Sequence, residues 1–224
     1  MTQDNRVVLI HGLHQAPFIM RPLAKRLQAV GFDTYQYGYR SMRDSIETTS
    51  ARLQAWLETH HHPDQPIDLV GHSLGGLIIR DFVVRYPQWQ IGRCVTLGTP
   101  HNGSICADYT WRLTKAIVGK SYLNALDGTI APLPEHIDLG VIAGNYPYGL
   151  GQFFLQHHNR ALKKETSPLL DKYRAHDGTV YVCEAQLEGA SDHLILPVSH
   201  TGMLVDKDVA QQTGHFLRHG RFQW

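Results

Sequence analysis

Short apolar runs alternating with amphipathic stretches predict an α/β protein, a mostly parallel central sheet with helices on both faces. Three observations carry this. The run 7–10 (VVLI) is continuous and rich in β-branched residues, as a strand buried on both faces is, and 67–70 and 91–97 read the same way. The stretches between such runs repeat apolar residues at helical spacing. At Gly71-His72-Ser73-Leu74-Gly75 a strand passes directly into an apolar helix.

The elements follow in order. After the first strand comes His11-Gly12-Leu13-His14. A helix over 17–30 carries Ile19, Leu23, Leu27 and Val30 on one face and is closed by Gly31. Residues 33–39 alternate weakly and read as a second strand. Asp44 and Glu47 suggest a capping-box start for a helix bearing Ile46, Leu53, Trp56 and Leu57. His60-His61-His62 reads as its solvated C-terminus, where cations are favoured. The strand 67–70 leads to the Ser73 turn and a helix ending near Pro87. Strand 91–97 runs into Gly98-Thr99-Pro100-His101-Asn102-Gly103-Ser104. Residues 104–136 read as irregular, with one or two short helices. A strand at 137–143 precedes a second irregular piece, 144–176. Asp177-Gly178-Thr179-Val180, a strand at 193–198, Ser199-His200-Thr201-Gly202-Met203 and a helix over 206–217 complete the chain.

Composition bounds the function classes. The 224 residues suffice for one substantial core and a single domain. Lys+Arg is 21 against Asp+Glu 20, a net charge of +1, so nothing points to a nucleic-acid surface. No run approaches the ~18 apolar residues of a membrane span. No basic-then-apolar leader precedes the first strand, and the three cysteines (Cys94, Cys106, Cys183) form no C-x-x-C pair. A reduced, cytoplasmic chain is expected, with no metal or cofactor.

The Gly71-x-Ser73-x-Gly75 turn has the form of a nucleophile elbow, in which a strained strand-to-helix turn lifts a serine clear of the backbone. Gly71, Gly75 and Gly76 let strand and helix pass closely. No Lys-Ser/Thr follows the glycines, so this is no P-loop, and the spacing is not that of a dinucleotide turn.

A serine hydroxyl needs a base, and the base needs a carboxylate to hold its tautomer. In elbow sites these partners follow in the order Ser, acid, His. Asp177, in an Asp-Gly turn, is the expected acid, ahead of Asp171 and of Asp192, which precedes a strand. His200, just past the strand ending at Val198, is the expected base. Its rivals are His176, His193, which opens that strand, and His215, late in a helix. The oxyanion needs two preorganised donors, here the backbone N–H groups of Leu74 and of Leu13 in the loop after the first strand. Gly12 allows close approach, and the His11 ring is expected to bond loop backbone.

Together VVLIHG (7–12), GHSLGG (71–76), LGTPHNGS (97–104), DGTV (177–180) and SHTGM (199–203) resemble the α/β-hydrolase superfamily, and more narrowly its bacterial lipase/esterase branch. The resemblance implies a triad of Ser73, Asp177 and His200, an oxyanion hole at Leu13 and Leu74, and hydrolysis of small-molecule or lipid acyl esters through an acyl-enzyme. It also implies a cap or lid over about 104–136. Acyl transfer or thioester hydrolysis on the same triad, and a non-catalytic relative, are the alternatives. The chain opens directly on the strand bearing the His-Gly loop, as in minimal lipases. No leader, disulfide or calcium site is assigned, which favours an intracellular esterase over a secreted lipase.

Overall fold

A computed structural model describes residues 6–223, so the reading of the first five residues lies outside the described part. Six strands, β1 (Arg6–Ile10), β2 (Asp33–Tyr37), β3 (Ile67–His72), β4 (Ile91–Leu97), β5 (Asp138–Gly144) and β6 (Asp192–Leu196), form one sheet in the order β2-β1-β3-β4-β5-β6. Every neighbouring pair is parallel. The order turns back between β1 and β3, and loops leaving that point diverge into a crevice at the carboxyl ends of the strands.

Alternation along β1 divides the core. Val7 and Leu9 face one side, with Leu23 and Leu27 of α1 (Arg21–Ala29) and Val209 and Phe216 of α7 (Lys207–His219). Val8 and Ile10 face the other, with Leu53 and Leu57 of α2 (Ile46–His60) and Leu77 and Phe82 of α3 (Leu74–Arg85). Each such fully buried side chain stabilises the fold by about 1.5–3 kcal/mol.

Several boundaries differ from the sequence reading. Ser45, not Asp44, caps α2: its Oγ accepts the Thr48 N–H at 3.3 Å, while Asp44 pairs with Arg52. Val30 lies beyond α1 and is half exposed. Residues 104–136 contain α4 (Ile105–Leu113), capped by Ser104 Oγ, then the single turn α5 (Lys115–Val118) and a kinked run to Leu126. The stretch read as irregular after β5 contains a true helix, α6 (Gln152–Lys164), which buries Leu155 and Leu162. Those two residues lie two turns apart, a spacing too sparse to stand out without the surface they pack on.

Candidate active site

The Ser73 turn is built as a strained elbow. Ser73 has φ 54° and ψ −121°, a conformation that L residues seldom adopt. Its backbone is clamped on three sides. The N–H donates to Leu97 O at 2.8 Å, and the carbonyl accepts from Thr99 Oγ1 at 2.9 Å and from the Gly76 N–H at 3.0 Å. Side chains are excluded underneath: a Cβ on Gly75 would stand 2.2 Å from the Ile10 carbonyl oxygen.

Asp177 and His200 meet across the end of the sheet. His200 Nδ1–H donates to Asp177 Oδ2 at 2.7 Å, and the two residues are 8 % and 1 % exposed. The other carboxylate oxygen accepts the Thr179 N–H at 2.9 Å and the Val180 N–H at 2.7 Å, so the Asp177-Gly178 turn is a closed loop rather than a strand. With its Nδ1 proton committed, the imidazole carries its lone pair on Nε2. Gly98 passes beneath this pair at φ 57°; a Cβ there would lie 3.0 Å from His200 Nδ1 and 3.1 Å from Asp177 Oδ2.

Ser73, Leu13 and His200 open onto one cleft of ≈ 400 Å³ at the crevice of the sheet. Its walls are mainly apolar, with Ala107 and Thr110 of α4, Ile117, Val118 and Leu126 beyond it, and Leu150 and Phe154 at the other side. Leu150 is fully exposed and Phe153 largely so, which leaves an apolar rim at the mouth. The α4 wall is tied down at its start: the Ile105 N–H donates to Glu184 Oε1 at 2.6 Å and the Tyr181 N–H to Glu184 Oε2 at 2.8 Å. Burial pushes the Glu184 carboxyl up to about 8. Arg80 of α3 binds the carbonyls of His101 and Ala131, at 2.9 and 2.6 Å, and so anchors the segments on either side of that wall.

The rival residues lie elsewhere. Asp192 and His193 open β6 at the opposite end of the sheet, and the His193 ring accepts the Leu187 N–H. Asp171 is exposed and pairs with Arg174. His215 on α7 bonds Arg221 O, and His176 accepts the Gly178 N–H behind the Asp177 turn.

The sequence reading overlooked two residues beside the cleft. His72 is fully buried and pushed down to about 3, chiefly by burial, so its ring is neutral. Its Nε2–H donates to His200 O at 2.9 Å, which ties the His200 loop to the elbow. Gln15 lines the cleft and accepts the Gly12 N–H at 2.8 Å. The Gly-His-Ser triplet hinted at the first; the second carried no sequence signal.

An all-parallel sheet in this order, with a serine-bearing elbow at its switch point, defines the class: this is an α/β-hydrolase. The chain belongs to the palmitoyl protein thioesterase family, whose sequence profile it matches over residues 6–132. Solved structures agree with the fold. A mature-form lipase of Bacillus licheniformis superposes with a TM-score of 0.73 at 18% identity, covering 98% of this chain and 93% of the lipase. A metagenomic carboxyl esterase gives 0.66 at 16% identity, covering 97% and 76% of the two chains. A monoacylglycerol lipase of Paleococcus ferrophilus gives 0.57 at 15% identity, covering 97% and 94%. No curated protein sequence matches the chain.

Proposed function

We propose that this protein is a serine hydrolase that cleaves acyl thioesters and esters through an acyl-enzyme. The observation that carries this is the His200–Asp177 hydrogen bond, with His200 opening onto the same cleft as the strained Ser73. Ser73 Oγ attacks the acyl carbonyl carbon and His200 Nε2 takes its proton. The carbonyl electron pair moves to oxygen, where the N–H groups of Leu13 and Leu74 stabilise it. Neither of these N–H groups has a protein acceptor among the described residues. Collapse expels the thiol or alcohol, which leaves with the proton from His200. Water then repeats the sequence, and Ser73 departs from the acyl carbon.

The substrate class follows from the walls and the family. The apolar cleft suits an acyl chain, and membership of the palmitoyl protein thioesterase family favours a thioester. The lipase and esterase neighbours support oxygen esters as a second substrate on the same groups. Residues 104–136 act as a cap within the single 1–224 domain, since α4 and the turns after it form one wall of the cleft.

The test is hydrolysis of matched acyl thioesters and p-nitrophenyl esters by the wild type and by Ser73→Ala. Turnover that depends on Ser73, with a trapped acyl group on that residue, supports the reading. Equal rates for the two proteins overturn it, and acyl transfer to added alcohols or thiols in place of water assigns a transferase.

A further inference from the structure

We propose that Tyr39 is a positioning residue for the oxyanion site, acting through two consecutive peptide planes to aim the Leu13 N–H. The inference rests on the serine-hydrolase reading of the Ser73 cleft.

The planes are pinned in series. Trans peptides carry C=O and N–H on opposite edges, and no cis bond occurs among the described residues, so holding one edge orients the other. In the His11–Gly12 plane both edges are held. Tyr39 Oη–H donates to His11 O at 2.8 Å, and on the opposite edge the Gly12 N–H donates to Gln15 Oε1, also at 2.8 Å. In the Gly12–Leu13 plane one edge is held: His11 Nδ1–H donates to Gly12 O at 2.9 Å. The other edge is the Leu13 N–H, which has no acceptor among the described residues.

Tyr39 reaches this position through sheet register. Ile10 of β1 pairs with Tyr37 of β2, so two residues further on Tyr39 stands beside the His11-Gly12 turn. Its ring stacks on His11, with centroids 4.4 Å apart and planes at 16°. His11 is fully buried, so the stacked ring has little room to turn. Burial holds the phenol pKa well above its ordinary value, so Tyr39 remains a donor throughout the working range. Gly12 lies close against the elbow: a Cβ there would stand 3.0 Å from Ser73 Cβ.

The experiment compares Tyr39→Phe with wild type. The variant keeps the stack on His11 and removes one hydrogen bond. An aimed donor matters most when charge develops on oxygen, so kcat is expected to fall about tenfold, the kinetic equivalent of one hydrogen bond, with KM nearly unchanged. Affinity for a trifluoromethyl ketone carrying the substrate's acyl chain, which forms a tetrahedral adduct, should fall in step with kcat/KM. A second pair guards against simple misfolding. His11→Asn can still offer a side-chain N–H near the Nδ1 position and should retain more activity than His11→Leu at matched thermal stability. Unchanged kcat and adduct affinity in Tyr39→Phe, a loss in KM alone, or equal defects in the two His11 variants would overturn the inference. A wild type inert toward both esters and thioesters overturns the hydrolase reading and this inference with it.

Discussion

His200 is tied to Asp177 twice: its ring Nδ1–H donates to the carboxylate at 2.7 Å and its backbone N–H donates to the Asp177 carbonyl at 2.9 Å. The second bond sets where the loop lies and the first sets which way the ring faces. Removing the carboxylate charge therefore disturbs tautomer more than placement. Asp177→Asn is expected to keep the fold and lower kcat by about 10³–10⁴, measured as initial rates on a thioester beside a thermal melt. Ser73→Ala and His200→Ala should each do at least as much damage, and combining them should add little because they act as one unit.

The width of the cleft is set partly by a small residue. Ala107 lines it from α4 and is almost buried. Ala107→Trp should fill the acyl side. The expected outcome is a loss of about tenfold or more in kcat/KM for long acyl chains, with short chains little affected. A series of thioesters of increasing chain length reads this directly; a uniform loss across the series contradicts the placement.

The elbow tolerates no side chain at Gly75. Its Cβ would meet backbone, the Ile10 and His11 carbonyl oxygens at 2.2 and 2.9 Å, so no rotamer change relieves the clash. Gly75→Ala is expected to destabilise the protein by at least about 3 kcal/mol, seen as a shift in the urea midpoint or as failure to accumulate folded protein.

Two kinds of buried group should tilt stability with pH in opposite directions. His11, His72 and His101 are buried, and burial depresses all three, His72 to about 3. The unfolded chain therefore binds more protons than the folded one below pH ~6.5, and the stability these rings contribute is lost as pH falls from there toward their folded values. Glu184 has the opposite sign. Raised to about 8, it holds its proton in the folded state while the unfolded chain has released it, so stability declines as pH climbs from the ordinary carboxylate range to about 8. Thermal melts across pH 4–9 check both limbs. His72→Asn should weaken the loss on acidification, and Glu184→Gln the decline between the ordinary carboxylate range and about 8.

Much of the architecture is legible in the residues themselves. Most of the strands follow from short apolar runs, because a parallel strand covered on both faces can carry few polar groups, while the edge strand β2 shows as a weak alternation. The Ser73 turn shows in its glycines, since only they fit where strand and helix backbones touch. Helix α6 does not show, because its buried face rests on just Leu155 and Leu162. The cap of α2 lies one residue beyond the Asp44 its sequence suggests, since Asp44 and Ser45 are equally good capping types and only the pairing of Asp44 with Arg52 separates them.

The site divides in the same way. The candidate triad of Ser73, Asp177 and His200 is legible in local motifs and chain order, and the candidate donors Leu13 and Leu74 in their offsets within those motifs. No local pattern marks Tyr39, Gln15 or Glu184 as neighbours of the cleft, and the Gly-His-Ser triplet only hints at His72. Three of these reach partners distant in the chain: Tyr39 through β1–β2 pairing, His72 through a loop 128 residues away, and Glu184 through α4. The sequence by itself determined the candidates for the proposed chemistry, because a nucleophile, its acid and its base are residue types. Tertiary structure alone decided how they are aimed, because hydrogen-bond direction depends on backbone planes brought together from distant parts of the chain.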